Sequence, residues 1–255
     1  MTVPIPSTPV PRELTRPADV AAATGGDLMT FWAVQGSRPG VRVFACGDAV
    51  AVASPVLSRR DRLVVSGPLA HAVPLVRHAL AEAGAGYRPL GEEHLVRGLA
   101  GRVPGLELSA AFDWMRTAAP APGDPGKAGW LAPEDDPEVT ALLAEVNPGS
   151  YAVPGLPGVR RWAGVRSDTG AVASVAADAW STPGAGFIAG VATAAGQRRL
   201  GHAEAVCRFL VTTLLAEHGR VALMVDSGNH TAIGVYHRLG FTRHPVAAAH
   251  VAAPG

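Results

Sequence analysis

Two short apolar runs with a glycine-containing turn between them constrain the fold more than any other part of this sequence. Residues 187–193 and 221–225 are each long enough for one strand, which predicts two buried strands. Between them, Arg198-Arg-Leu-Gly-His-Ala203 opens a predicted amphipathic helix that ends at about His218. This order aims the free amides and the partial positive charge of a helix N-terminus out of the end of a strand, an arrangement that suits a pyrophosphate.

A second turn and helix follow the second apolar run. The turn at 226–229 leads into a predicted helix over 231–239, which Gly240 closes as a left-handed cap. The loop pattern Gln/Arg-x-x-Gly-x-Gly/Ala is filled by Arg198, Gly201 and Ala203. The pattern Asn-x-x-Ala-x-x-x-Tyr-x-x-Leu-Gly-Phe is filled by Asn229, Ala232, Tyr236, Leu239, Gly240 and Phe241. In these two motifs the chain resembles the GNAT acyltransferases, which move an acetyl group from acetyl-CoA to an amine.

The resemblance covers roughly residues 129–251, and its motifs lie between 187 and 241. It implies an α/β fold with a GNAT-like mixed, splayed sheet flanked by helices. The implied function is an acetyl-CoA-dependent N-acetyltransferase that moves an acetyl group directly to a small-molecule or peptide amine of unknown identity. Two alternatives stay open: a non-catalytic CoA-binding or regulatory protein on the same fold, and a purely structural pairing domain.

By resemblance, the acyl donor acetyl-CoA contacts one strand, the loop after it and the start of the last helix. The implied contacts are Val191, Thr193, Arg198, Arg199, Leu200, Gly201, His202, Ala203 and Asn229. Gly201 and Ala203 keep large side chains away from the loop amides, and Arg198 or Arg199 adds charge-assisted hydrogen bonds to phosphate. Family members often carry glycine where Arg199 stands. The alternative interpretation of this loop is an ordinary helix start with solvated arginines.

Tyr236 and Asp226 are the candidate catalytic residues. By resemblance, the Tyr236 phenol protonates or hydrogen-bonds the leaving CoA thiolate, and thiol and phenol pKa values of about 8.5 and 10 make this transfer feasible. The same position also allows Tyr236 merely to pack its helix against the sheet. The acceptor ammonium must lose a proton before attack, and the strand 187–193 contains no acid. Asp226 is therefore the first candidate base, Asp178 is the second, and a water chain is the alternative.

Composition narrows the remaining classes of function. Of the 255 residues, 48% are hydrophobic and 17% are charged, which is typical of a chain with a substantial core. The net charge of +1 gives no electrostatic case for nucleic acid or a membrane surface. The two cysteines and the histidines lack metal-ligand spacing, so no metal is predicted. The N-terminus shows no signal-peptide pattern, and no apolar run reaches the length of a membrane span, which together predict a cytoplasmic protein.

The segment 118–127 is rich in Pro and Gly and predicts a linker between two halves, 1–120 and 127–255. The first half has the pattern strand–strand–helix–helix–strand, which favours a second, degenerate acyltransferase-like copy without the loop motif. Residues 148–158, where the family shapes its acceptor site, hold too much Pro and Gly for a helix. The C-terminus is short for the family's final strand pair, so we expect 106–115 to supply the missing sheet edge.

Two further expectations concern source and assembly. Lys127 is the only lysine among the 22 Lys and Arg residues, a bias that is typical of G+C-rich bacterial genomes. Nothing in the sequence decides the oligomeric state, which leaves a homodimer open.

Overall fold

The computed structural model describes residues 9–252, which form two compact units. Unit 1 contains the described residues up to Ala111 together with those from Val246 onward. Unit 2 contains Phe112–Pro245, so the Pro- and Gly-rich segment 118–127 lies inside it. The chain therefore passes from one unit to the other within strands and not within that segment.

Unit 1 is built from the first strands and helices of the chain. They are β1 (Arg12–Leu14), α1 (Pro17–Thr24), α2 (Leu28–Val34), β2 (Arg42–Cys46), β3 (Ala49–Leu57), β4 (Arg60–Ser66), α3 (Leu69–Ala83), β5 (Arg88–Glu92), α4 (Glu93–Ala100) and the first part of β6 (Leu106–Thr117). The strands follow the order β1-β2-β3-β4-β5, and only β4–β5 is parallel among these pairs. Helix α3 packs on this sheet, and Phe44, Leu63 and Leu75 are fully buried in the resulting core.

The structure confirms some sequence predictions for unit 1 and corrects others. Helix α3, the first of the two helices in the predicted pattern, spans 69–83. The prediction that two helices follow each other directly is wrong, because β5 lies between α3 and α4. This strand is hard to predict from the sequence because it contains Pro89 and Gly91, and both residue types are depleted in strands. The apolar pattern also fails to reveal α1 and α2, although Asp27 caps α2 by accepting a hydrogen bond from the Thr30 amide at 2.9 Å.

Unit 2 takes its elements from the second half of the chain. After the end of β6 they are β7 (Gly129–Trp130), α5 (Asp136–Val146), β8 (Val159–Arg166), β9 (Val172–Ala179), β10 (Gly186–Thr193), α6 (His202–His218), β11 (Val221–Asp226), α7 (His230–Arg238) and the first part of β12 (Thr242–Val251). The strand order is β7-β8-β9-β10-β11-β6, and only β10–β11 is parallel. Helices α6 and α7 share a core with one face of this sheet, in which Ile188, Leu210 and Leu223 are buried.

Each unit is completed by a strand segment from a distant part of the chain. In unit 2, residues 112–117 of β6 pair antiparallel with β11 along its whole length. In unit 1, residues 246–248 of β12 pair antiparallel with residues 90–92 of β5. The hypothesis that 106–115 supplies the missing sheet edge is therefore confirmed, with the pairing shifted to 112–117.

The two units repeat one order of elements. Three antiparallel strands are followed by a helix, a parallel strand and a second helix, as β2, β3, β4, α3, β5 and α4 in unit 1 and as β8, β9, β10, α6, β11 and α7 in unit 2. The predicted α/β class, with a mixed sheet flanked by helices and repeated halves, is confirmed. Within residues 9–252, no helix is long and apolar enough to cross a membrane.

Candidate functional site

Strands β10 and β11 separate partway along their length. Their parallel pairing consists of Gly186↔Val221, Phe187↔Ala222 and Ile188↔Leu223, and it stops there. Strand β10 continues to Thr193 along β9, while β11 continues to Asp226 along β6. We call the space between residues 189–193 of β10 and residues 224–226 of β11 the strand gap. Among residues 9–252, no strand pairs with the edge of β10 that faces this gap, so its backbone groups are available to a ligand.

A bulge in β10 lies at the start of the strand gap. The register against β9 shifts between Ala189 and Ala192, and Gly190 adopts a left-handed backbone with φ of 64°. A methyl group on Gly190 would lie 2.6 Å from Cη2 of Trp162, so both backbone conformation and space require glycine here. Bulges of this kind re-aim backbone groups, and they are frequent beside active sites.

The predicted donor contacts on β10 differ in what they offer. Thr193 uses its hydroxyl in a 2.8 Å hydrogen bond with Ser174 on β9, and its carbonyl lies 3.4 Å from the Arg198 Nε. Val191 is half-buried beside the unit 2 core. Neither side chain carries chemistry toward the strand gap, so any role of these two residues in binding comes from their backbone.

The loop after β10 presents an uncapped helix N-terminus. Helix α6 begins at His202, inside the segment that was predicted to turn into a helix, and it ends at His218 as predicted. It begins no earlier because Arg199 and Gly201 both have left-handed backbones, with φ of 64° and 82°, which no helix continues through. Gly201 occupies the N-cap position and contributes no side-chain hydrogen bond, so the first-turn amides, those of His202 and Ala203 among them, have no intrahelical acceptor.

The charges around this loop favour an anion. Arg198, Arg199 and Leu200 are exposed, and the Leu200 side chain reaches 63%. Glu204 in the first helical turn would repel a phosphate, but Arg208 and Arg238 hold its carboxylate at 2.7 and 2.8 Å. Burial raises the pKa of Glu204, and the hydrogen bonds from both arginines outweigh that effect and lower it. Its charge is therefore compensated locally.

A cavity borders the same loop within unit 2. Its volume is about 410 Å³, and it lies between the segment 124–127, the β8–β9 turn and the start of α6. Lys127, Gly201 and His202 are among its lining residues, together with Asp124 and Asp168. The lining beside the uncapped helix start therefore carries charges of both signs.

Replacing Arg199 by glycine is expected to stabilise the protein. A left-handed backbone costs a residue with a Cβ roughly 1–2 kcal/mol, and glycine returns part of that gain through its greater unfolded-state entropy. We expect a net rise of about 0.5–1 kcal/mol in the free energy of unfolding, measured by urea denaturation. The adjacent Arg198→Gly is the matched control, because Arg198 has an ordinary φ of −72°. A loss of stability in Arg199→Gly equal to that of the control would contradict the strain argument.

Tyr236 lies where its phenol stays neutral. It is 5% exposed on α7, in the core shared with Cys207 and Phe241, and its ring lies 5.9 Å from that of Phe241. Burial, together with the nearby Cys207, raises the pKa of Tyr236 well above 10. A phenol of this kind is a hydrogen-bond donor more than a proton source, since each unit of pKa above that of the thiol costs about 1.4 kcal/mol. The catalytic role of Tyr236 stays a prediction, and its packing role is observed.

Cys207 is not a nucleophile in this environment. It is fully buried on α6, and burial followed by the charge of Glu204 raises its pKa to about 12. The thiolate is the reactive form of cysteine, so Cys207 remains protonated and inert at neutral pH. In the described part of the chain, no group of three or more His, Cys, Asp or Glu is arranged to hold a metal ion.

Asp226 and Asn229 shape the turn between β11 and α7. Asp226 Oδ1 accepts a hydrogen bond from the Gly228 amide at 2.7 Å, and the carboxylate is exposed at the end of β11. Asn229 caps α7 by accepting from the Ala232 amide at 3.1 Å. Both residues thus have structural roles, and their predicted roles as base and donor contact stay predictions.

Two buried aspartates lie on the α6 face of the sheet. Asp178 is opposite Ile188 on the neighbouring strand. Its carboxylate accepts hydrogen bonds from the Ser181 hydroxyl and, at 3.1 Å, from the Arg161 Nε, so both of its oxygens have structural partners. Asp113, which the sequence analysis missed, lies on β6 with Arg243 Nε 2.8 Å from its Oδ1. Neither Asp113 oxygen receives a well-aligned hydrogen bond within residues 9–252, so the contact is an ion pair. No local signal marks Asp113, because only the pairing of β6 with β11 brings it here.

The corresponding region of unit 1 is closed. The parallel pairing of β4 and β5 reaches Val64↔Leu90, and a methyl group on the next residue, Gly91, would lie 2.5 Å from the Val65 carbonyl oxygen. The parallel pairing comprises three residue pairs in both units, but β4 and β5 remain close at the residue after the last pair. Only residues 67–68 connect β4 to α3, and Pro68 has no amide to donate.

Helices of unit 1 close the remaining space. A methyl group on Gly98 of α4 would lie 2.6 Å from Cδ2 of Leu69, so the Leu69 side chain fills the interval between α3 and α4. Unit 1 thus repeats the elements of unit 2 with a shorter connection between strand and helix and with closer strands, while the N-terminus of α3, like that of α6, has no side-chain cap.

Comparison with known proteins agrees with this geometry. The model of the family described as FR47-like protein matches residues 163–248, the part of unit 2 that holds the strand gap and the loop, and continues into β12. No curated protein matches the chain in sequence. Fold comparison gives a GCN5-related N-acetyltransferase from Sphaerobacter thermophilus, with a TM-score of 0.56 at 19% identity over 99% of this chain and 98% of that chain.

Two further structures give the same result. One is a GCN5-related N-acetyltransferase from Kribbella flavida, with a TM-score of 0.56 at 17% identity over 81% of this chain and 87% of that one. The other is a GNAT-family structure from Novosphingobium aromaticivorans DSM 12444, with a TM-score of 0.54 at 19% identity over 94% of this chain and 100% of that one. Residues 163–248 therefore form an FR47-like domain, and the chain has the fold of the GNAT N-acetyltransferases.

Proposed function

We propose that the protein is an acyltransferase that moves an acetyl group from acetyl-CoA directly to an amine. The observation that carries the proposal is the strand gap, which leads from the bulge in β10 to the uncapped N-terminus of α6. A long, flexible donor with a diphosphate at one end fits such a path, because the two features offer unpaired strand backbone and converging amides.

The residues of unit 2 divide the binding work. The amides of His202 and Ala203 receive the diphosphate, and the exposed Arg198 guanidinium adds a charge-assisted hydrogen bond. The backbone of β10 at Val191 and Thr193 pairs with the amide groups of the pantetheine chain. Acetyl-CoA, when bound, supplies the acyl group already activated as a thioester. Backbone amides at the β10 bulge polarise the thioester carbonyl, which requires no nucleophilic side chain from the protein.

Proton movement requires two further groups. The neutral Tyr236 phenol donates a hydrogen bond to the departing sulfur. Asp226, or a water chain from the exposed end of β11, accepts the proton of the acceptor ammonium. We propose a small-molecule or peptide amine as the acceptor, since neither group requires a macromolecular partner.

A non-catalytic CoA-binding protein is the second candidate. It is favoured by Asp226, whose Oδ1 is already engaged by the Gly228 amide in a turn. This candidate shares the donor site with the acyltransferase and differs only in lacking turnover. Assays of CoA release with a panel of amines separate the two, because the acyltransferase releases free thiol and the binding protein does not.

We expect acetyl-CoA and CoA, but not ATP, to stabilise the protein against heat. A ligand at about one hundred times its Kd adds roughly 2.7 kcal/mol to the free energy of unfolding. Calorimetric titration is expected to give one site per chain, because unit 1 is closed. Arg198→Glu should remove the stabilisation, and Arg60→Glu, an exposed arginine on β4, should not.

The result against the proposal is equally plain. If neither CoA species shifts the unfolding transition of the unaltered chain, the enzyme assignment and the CoA-binding alternative both fall.

A further inference from the structure

The indole of Trp162 lies against the bulge of β10 from two strands away. Trp162 on β8 is opposite Ala177 on β9, and Ala177 is opposite Ala189 on β10. The small Ala177 side chain lets the indole extend across β9, so that Cη2 and Cζ3 lie 2.6 and 3.0 Å from where a Cβ on Gly190 would be. The Trp162 side chain is 4% exposed, so its position is set by packing.

Ala152 adds a second wall at the same point. Its Cβ lies 3.1 Å from the Cβ position built on Gly190. Ala152 belongs to the Pro- and Gly-rich segment 148–158, which forms turns as predicted, and the buried Ser150 hydroxyl donates to the Ala152 carbonyl at 2.7 Å. This hydrogen bond holds the turn in place, so the Ala152 side chain cannot move away from Gly190 easily.

Both walls lie on the face of the sheet opposite α6. Ala163, Ala176 and Ile188 belong to the core shared with α6. Trp162, Ala177 and Ala189 occupy the alternate positions, which point to the other face. The donor loop lies at the start of α6, whereas the two walls meet at the bulge on the far face.

We infer that Trp162, with Ala152, restricts the acyl group of the donor to acetyl. This inference rests on the proposed function and concerns the same site. Gly190 has no room for one added methyl group on this side. In this proposal the acyl group bound at the bulge extends toward the same side, so a longer acyl chain must displace the indole. Because an interior packed to normal density yields little, displacement costs binding affinity. Removing the indole should open space for longer chains.

The test measures dissociation constants of the full chain for CoA and for acetyl-, propionyl-, butyryl- and hexanoyl-CoA. For the unaltered protein we expect CoA and acetyl-CoA to bind alike and butyryl-CoA to bind at least about tenfold more weakly. In Trp162→Ala, the ratio of butyryl- to acetyl-CoA affinity should rise at least about tenfold, as expected for burial of two methylene groups. Trp162→Phe, a milder change, should raise the propionyl-CoA ratio about threefold and keeps the test decisive if the alanine variant does not fold.

Trp130→Ala is the matched control. Trp130 is another tryptophan of unit 2, 36% exposed on β7, where it stacks on Arg161 at 3.9 Å. Its removal should leave the chain-length series unchanged. An unaltered series in both Trp162 variants, with acetyl-CoA still bound, overturns the inference and leaves the proposed function intact. Absence of binding by every CoA species to the unaltered protein overturns both.

Discussion

Residues 127–255 expressed alone are expected to show no cooperative unfolding transition. This fragment lacks residues 112–117, whose six pairs with β11 complete the sheet of unit 2. It also loses the buried Met115 and Trp114 side chains. Each comparable core deletion costs about 3–5 kcal/mol, whereas a whole domain is stable by only about 5–15 kcal/mol. The bared edge of β11 would in addition promote aggregation.

A longer fragment provides the control for this experiment. Residues 106–255 keep all of β6 and should unfold more cooperatively in urea than residues 127–255, with a steeper dependence on denaturant. A synthetic peptide of residues 106–126 added to the short fragment should restore part of that slope. A sharp transition in the short fragment, with the slope of the longer one, would show that β6 is dispensable.

Tyr236→Phe is expected to lower kcat by roughly 10²-fold, the effect of removing one hydrogen-bond donor to charge that develops in the transition state. Only the hydroxyl is lost, so the packing against Phe241 and the affinity for CoA should persist. Because the pKa of Tyr236 is raised well above 10, the phenol keeps its proton throughout the usual assay range. Deprotonation of Tyr236 should therefore not lower kcat of the unaltered enzyme between pH 7 and about 10. The pH profiles of kcat for the two enzymes should have the same shape over this range.

Tyr87→Phe is the matched control for this substitution. Tyr87 is a half-buried phenol of unit 1, and burial also raises its pKa. Its turnover should match that of the unaltered chain. Equal turnover in both variants would reduce Tyr236 to a packing residue and favour a water-mediated route for the thiolate.

Helices and strands whose own residues show a clear apolar pattern could be predicted from the sequence. Strands whose position depends on pairing with distant parts of the chain could be predicted only in part. Helix α3 has an apolar face over its entire length, and its bounds follow from that periodicity. Strand β5 could not be found, because Pro89 and Gly91 suppress its local preference and the neighbouring strands decide its conformation. The role of β6 at the edge of unit 2 could be suspected only from what the second half lacks.

The candidate site divides in the same way. Gly201 and Tyr236 stand out through motifs, since their spacing along one short segment is visible in the chain. The strand gap and the Gly190 bulge could not be predicted, because they are matters of register between β9, β10 and β11. The contact of Trp162 with Gly190 depends on the small Ala177 between them, which no pattern along a single strand reveals.

The pairing of β12 with β5 has a consequence for protein synthesis. On the ribosome, the N-terminal part of the chain emerges first and begins to fold while the rest is still being made. Strand β5 then remains without this partner until residues 246–248 are translated, long after β5 itself. During that interval one side of β5 is an unpaired edge, open to contacts with other nascent chains. The yield of native protein should therefore respond to elongation speed and to chaperone supply more strongly than the stability of the finished molecule suggests.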